Sequence, residues 1–331
     1  MPEFVETVTG PLALDDLGAT LIHEHVVTGM PGWDTDATVP RWKRQDMLQI
    51  AKDRIAEMQA AGIHSMVDPC PSDLARDIEF SAEVSQATGF PIVAAAGLYN
   101  ESFGLTAYWK LRGATGGDVV QEMADAFIKE LTEGVAASGV KPGIIKVATG
   151  SGAVTDYERQ VFAAATRAAI ATDVPIITHT DDGVLGEEQQ TMFVEGKLPP
   201  HRAMVGHSCG TNDHEYHWRL VEGGTYVGFD RFGLESINSD ENRAKSMLRL
   251  IERGASTRLM VAHDTVWCWL GKPFPPNPIW RPSRFCEDVI PMLKAGGASD
   301  EHLDHILVEN PRRYFAGDAL PPLRPEALSP G

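Results

Sequence analysis

Closely spaced cysteines are missing from this chain. Cys70, Cys209, Cys268 and Cys286 lie far apart with no Cys-x-x-Cys pair, which excludes a thiolate metal cluster and a disulfide scaffold and leaves four reduced thiols. Basic charge is also in deficit. With 29 Lys and Arg against 46 Asp and Glu, the formal charge is −17, a balance that repels nucleic-acid phosphates and anionic lipid surfaces and favours small neutral substrates. Nowhere do 18 apolar residues run together, so no membrane-spanning helix is expected. The start, Met-Pro-Glu-Phe-Val-Glu-Thr-Val, has no basic stretch followed by an apolar one, so the chain is expected in the cytoplasm. No low-complexity or Ser/Gly linker interrupts it, and one domain over residues 1–331 is expected.

What the chain does contain is alternation. Short apolar, β-rich runs fall at 19–25, 63–68, 91–97, 143–148, 174–179, 203–207, 225–229 and 258–263. Between them, segments such as 44–61, 117–137, 156–171 and 242–253 carry Leu, Ile, Met and Ala at three- and four-residue spacing among charges, the pattern of amphipathic helices. Eight strands each followed by a helix predict a (β/α)8 TIM barrel; a doubly wound open sheet gives a similar alternation.

The polar residues that end the apolar runs bear on the choice. His23 and His25 close the first run, Lys146 sits late in the fourth, His179 ends the fifth, His207 the sixth, and Asp264 follows the eighth. In a barrel these positions converge on one mouth, at the C-terminal ends of the strands. His23 and His25 are two apart, so on a strand both imidazoles face one way and Glu24 the other. Each histidine taken singly also has a plain reading as a hydrogen-bonded core residue.

Lys146, within Gly-Ile-Ile-Lys-Val-Ala, carries a desolvation cost that a buried salt bridge to Asp68 or Glu24 would offset. Alternatively it is a reactive amine, able to add to a carbonyl substrate as a Schiff base or to carbon dioxide as a carbamate ligand. Asp264 has three readings: metal ligand, proton acceptor or helix cap. Imidazoles with few carboxylates and no thiolates suit zinc, cobalt, iron or manganese, and two divalent metal ions would account for so many ligands.

At these residues the chain resembles the phosphotriesterase family of the amidohydrolase superfamily, and within it the phosphotriesterase-like lactonases. The likeness runs through Gly10-Pro-Leu, Asp16-Leu-Gly-Ala-Thr-Leu-Ile-His-Glu-His, Ile145-Lys-Val-Ala-Thr, Thr178-His-Thr, Val205-Gly-His, Gly228-Phe-Asp-Arg-Phe-Gly, Ala262-His-Asp and Asn310-Pro-Arg-Arg-Tyr-Phe. The resemblance implies that His23, His25 and Asp264 hold a buried metal and that His179 and His207 hold a more exposed one. It further implies that N6-carboxylated Lys146 and a hydroxide bridge the two metals, zinc first among the candidates, and that Asp264 accepts a proton from that hydroxide. A homodimer is implied as well.

Tyr99 and Arg231 look like the tyrosine and arginine that lactonases of this family keep beside the metals; the plain alternatives are a barrel-rim aromatic and a surface ion pair. The segment Thr265-Val-Trp-Cys-Trp-Leu-Gly-Lys-Pro-Phe-Pro-Pro reads as a loop lining an apolar pocket, with Trp267 and Trp269 as walls. Departures from the family pattern fall at Thr180-Asp-Asp-Gly-Val-Leu-Gly, Ser208-Cys-Gly-Thr-Asn-Asp and Asn100-Glu-Ser-Phe-Gly. The expected activity is hydrolysis of an acyl-homoserine lactone or a γ- or δ-lactone, with phosphotriester hydrolysis on the side. Alternatives are a dedicated phosphotriesterase or carboxylesterase, a metal-free Schiff-base barrel at Lys146, and a barrel that keeps the ligands for stability only.

Overall fold

The computed structural model describes residues 2–325; the expected domain limits at Met1 and at 326–331 lie outside the described residues. An antiparallel hairpin, β1 (Phe4–Thr7) and β2 (Gly10–Ala13), comes first. It lies at the N-terminal end of the barrel, where Val8 N–H donates to the Ile92 carbonyl.

The barrel strands follow: β3 (Thr20–Leu21), β5 (Ser65–Asp68), β6 (Ile92–Gly97), β7 (Ile144–Ala148), β8 (Ile176–His179), β9 (Ala203–Val205), β10 (Tyr226–Phe229) and β11 (Leu259–Val261). They pair in parallel in that order from β3 to β11. Every residue of these strands is buried, as expected for a parallel sheet covered by helices on its outer face and filled by side chains within. What separates a barrel from an open sheet is whether the end strands meet. Here Ile22 N–H donates to the Val261 carbonyl at 3.1 Å, and the doubly wound alternative falls.

The ends of the expected strands move for the same reason. The first apolar run breaks after Leu21, because residues 22–24 bond alternately to both neighbours: Ile22 to Val261, Glu24 N–H to the Val67 carbonyl, and the His23 carbonyl to Asp264 N–H. It resumes as β4 (His25–Thr28), which pairs in parallel with β12 (Val266–Trp269). Part of the segment expected as a loop after the eighth strand is therefore a strand. This two-stranded ribbon rises from the seam where the barrel closes.

The helices sit close to their expected positions, at Arg44–Ala60, Val119–Glu133, Asp156–Thr172 and Asp240–Glu252 among others. Their starts are chemical. Asp118 accepts from Gln121 N–H, Ser239 from Asn242 N–H, and Thr155 forms a reciprocal capping box with Glu158, each satisfying amides that a helix leaves unpaired.

Gly97, the last residue of β6, has φ +113° and a Cβ there would lie 1.9 Å from the Lys146 carbonyl oxygen. Gly97→Ala should therefore destabilise the protein by about 3 kcal/mol or more, from left-handed backbone and overlap together. Gly113→Ala, where a Cβ meets nothing within 4 Å in the helix Ala107–Ala114, should instead raise stability by about 0.5–1 kcal/mol. Thermal unfolding of the two variants checks both signs.

Candidate metal centre

Four imidazoles, an amine and a carboxylate meet at the barrel mouth, delivered by different strands. His23, His25, Lys146, His179, His207 and Asp264 all line one pocket, and Tyr99, Arg231 and Trp269 share its wall. Trp267 does not line it. Its indole N–H donates to Thr265 Oγ1 at 3.0 Å and its ring joins the hydrophobic core, so of the two expected tryptophan walls only Trp269 faces the pocket, beside Phe274 and Trp280.

The local geometry depends on buried carboxylates. Asp230 is fully buried; its Oδ2 accepts from His23 Nδ1 at 2.8 Å, and its Oδ1 accepts from His207 Nδ1 at 3.1 Å and from the His207 amide at 2.7 Å. Burial alone would raise its pKa, but the His207 and His23 imidazoles outweigh this and hold it well below the usual range. An ionised carboxylate only accepts, so each Nδ1 must carry the proton and each Nε2 keeps its lone pair. Asp68 Oδ1 accepts from His25 Nδ1 at 3.2 Å; burial would lower the pKa of this ring, but its hydrogen bonds to Asp264 and Asp68 outweigh that and raise it well above its ordinary value.

The Nε2 atoms of the three rings converge on Asp264. His23 and His25 stand 3.4 and 3.2 Å from Oδ1, and His207 stands 3.7 Å from Oδ2. Burial pushes His23 and His179 down to about 4 and His207 well below its ordinary value, so these rings are neutral donors. Imidazole lone pairs and a carboxylate form a donor set that fits a borderline divalent cation, and ligand atoms of His23, His207 and Asp264 lie within 4.8 Å of one another. The buried carboxylates behind the rings supply the orienting shell that metal-bound histidines require.

Two of these residues have left-handed backbone, His207 at φ 57° and Asp264 at φ 55°. For residues with a Cβ that conformation carries a strain of order 1–3 kcal/mol and recurs at functional sites. Here it turns each chain sharply at the mouth.

Lys146 bonds to neither Asp68 nor Glu24. Its Nζ donates to His23 Nε2 at 3.1 Å and to the Thr178 carbonyl at 3.2 Å, and burial, opposed by Asp264 and Asp230, brings its pKa down to about 8. Glu24 does not line the pocket and accepts from the His263 amide, His263 Nδ1 and both donors of Thr265.

His179 is held the other way round. Its Nε2 donates to Asp181 at 2.8 Å, leaving Nδ1 to accept from the Tyr99 hydroxyl at 3.1 Å. Arg231 donates Nε–H to Asp264 Oδ2 at 3.0 Å and reaches Asp182 Oδ1 at 3.0 Å. Arg231 thereby ties the loop after β8 to the mouth.

The likenesses to known proteins agree with this arrangement. The model of the Phosphotriesterase family matches residues 3–315. This chain belongs to the phosphotriesterase family. It is accordingly a hydrolase of that family. A phosphotriesterase homology protein of Mycobacterium tuberculosis is 34% identical over 321 residues, covering 95% of this chain and 98% of the relative. Among solved structures, an organophosphorus hydrolase from Deinococcus radiodurans superposes with a TM-score of 0.91 at 36% identity, over 95% of this chain and 97% of that one. A mutant of a Deinococcus radiodurans PTE-like lactonase gives 0.90 at 36% identity, over 94% and 99%.

Sequence reasoning gave no role to Asp230 and treated Asp68 only as a salt-bridge partner, although both follow apolar runs as the histidines do. It also passed over His217, whose Nε2 donates to the Ser208 carbonyl at 2.8 Å just after His207. Burial brings His217 down to about 4 from 6.5. A depressed histidine leaves the unfolded chain binding more protons, so its contribution is complete above pH 6.5 and is lost as pH falls toward 4, by up to about 3 kcal/mol. His217→Phe should flatten the acid side of a stability profile by that amount, measured by urea unfolding at successive pH values.

Proposed function

We propose that this member of the phosphotriesterase family is a metal-dependent lactonase acting on acyl-homoserine lactones or simpler γ- and δ-lactones, with slow phosphotriester hydrolysis as a side activity. The observation that carries this is Tyr99. Its hydroxyl sits against His179 inside the pocket, and burial raises its pKa, so it remains a donor for an ester oxygen at neutral pH. Apolar walls from Leu74, Val266, Trp269, Phe274 and Trp280 suit an acyl chain, and the likeness to a PTE-like lactonase supports the reading.

His23, His25 and Asp264 would hold one divalent cation and His179 and His207 a second, with Lys146 as a carbamate between them; zinc leads, with cobalt, iron or manganese as alternatives. Bound there, such cations lower the pKa of water and polarise an ester carbonyl.

The chain's own groups supply the remaining functions. A pKa near 8 leaves part of Lys146 as the free amine, which adds to carbon dioxide with a new N–C bond and loss of one proton. Asp264 takes the proton of the attacking water, its Oδ2 being steadied by Arg231, and that proton ends on the ring oxygen that leaves as an alcohol.

A dedicated phosphotriesterase or carboxylesterase is the second reading. The aromatic pair Trp269 and Phe274, with centroids 4.6 Å apart, would also hold an aryl leaving group. No helix among the described residues is long and apolar enough to cross a membrane, and a cytoplasmic location is part of the proposal. So is a homodimer, supported by exposed Phe103, Leu105, Tyr108 and Leu111 on and beside the helix Ala107–Ala114.

Comparison of kcat/KM on a lactone panel and on paraoxon-like triesters should favour the lactones; a higher triester value would reverse the order of the two readings. Removing metal with a chelator should abolish both activities, and full activity in the stripped protein would sink the metal-dependent mechanism. Lys146→Ala should lose most bound metal by elemental analysis and at least about 100-fold in rate, of the order that a misplaced reacting group costs; two metals retained per chain would contradict the bridge.

A further inference from the structure

Asp73 lies outside the wall of the pocket, on the turn after β5, and is buried at 4% exposure. Its carboxylate oxygens accept the Tyr99 amide at 3.0 and 3.2 Å, and Oδ2 also accepts the Leu105 amide at 3.1 Å. We propose that Asp73 is the positioning residue that sets Tyr99 at the reaction centre. The inference rests on the reading of Tyr99 as a group that faces substrate.

The Tyr99 side chain bonds only to His179 among the described residues, a contact that would itself compete with a substrate oxygen. The direction in which its ring leaves the backbone is therefore set by its own amide and by the residues on either side. Just before it, Ser72 donates both its amide and its hydroxyl to the Gly97 carbonyl, at 3.1 and 2.8 Å. Just after it, the chain turns back on itself, Phe103 N–H reaching Asn100 Oδ1 at 3.0 Å and Gly104 N–H the Asn100 carbonyl at 2.9 Å.

Residues 98–105 thus form one closed turn, and Asp73 accepts from both of its ends. The turn presses on the carboxylate: a Cβ on Gly104 would lie 2.4 Å from Asp73 Oδ2. Amides converge on both oxygens, which a carboxylate satisfies and an asparagine does not, since its NH2 group would face a donor. Arg76, the cation whose charge acts on Asp73, is spent on the Ala95 carbonyl and on Glu130, so the amides do the holding. Removing the carboxylate leaves the barrel strands untouched and frees the turn to shift, and a displacement of about 1 Å at a reacting centre can cost up to about 100-fold in rate.

A double-mutant cycle with Tyr99→Phe tests this on whichever substrate, lactone or triester, the wild type hydrolyses fastest. Asp73→Ala should lower kcat/KM by about 10- to 100-fold, mainly in kcat, yet by less than about threefold in the Tyr99→Phe background, because groups acting through one another are not additive. Hydrogen exchange should quicken at the Tyr99 and Leu105 amides while β6 keeps its protection. Equal losses in both backgrounds, or unchanged exchange at those two amides, would overturn the proposal. Asp73→Asn, which retains one acceptor, should fall between wild type and Asp73→Ala, and it carries the same cycle if the alanine variant does not fold. A substrate preference for triesters would overturn the lactone reading without touching this one, whereas additivity overturns only this one.

Discussion

One buried carboxylate fixes the geometry on which the rest of the centre depends. Asp230 takes a proton-bearing nitrogen from His23 on one side of the barrel and from His207 on the other, so a single side chain sets the tautomer of two imidazoles from distant parts of the sequence. Their rings stack at 4.7 Å between centroids. A carboxylate with no exposure is tolerable only with partners of this kind, and in return it can point nowhere else. The lone pairs on the far side of both rings therefore face Asp264 before any ligand arrives, which is what preorganisation means in structural terms.

The charges around this core are arranged in an alternating chain. Arg231 lies between Asp264 and Asp182, His179 between Asp181 and Tyr99, and Lys146 against His23 and a carbonyl. Among the described residues, no carboxylate at the mouth lacks a donor. A chain with a formal charge of −17 thus presents a centre in which each negative group is already matched, and the pocket above it is walled mostly by apolar side chains.

The barrel was legible because its strands are buried on both faces and read as unbroken apolar runs, and because chemistry-bearing residues end those runs. Loop and ribbon structure was not. The run at 19–25 gave no sign that residues 22–24 would bond to both neighbours and split the strand, nor that Val266–Trp269 would leave the expected loop to pair with His25–Thr28. Both depend on contacts more than 200 residues apart in sequence. Trp267 went astray with them, since a tryptophan on a strand is sent to core or pocket by register, and that register is invisible in an apolar segment. The orienting carboxylates were missed for a different reason: Asp68 and Asp230 occupy the same run-ending positions as the ligands, and residue type alone does not separate an atom that touches a metal from one that steers its neighbour.

The ribbon of β4 and β12 links two tasks that sequence keeps apart. Its register joins His25 to Val266 and Thr28 to Trp269, so one pair of hydrogen-bonded strands carries both a residue of the centre and an aromatic wall of the pocket. Altering the wall near Trp269 strains the backbone that aims His25, while Phe274 and Trp280 lie beyond the ribbon's paired residues. Divergence in what the pocket admits would then accumulate more readily on the distal side of this segment than on the ribbon itself, giving the mouth one rigid flank and one that selection can rework.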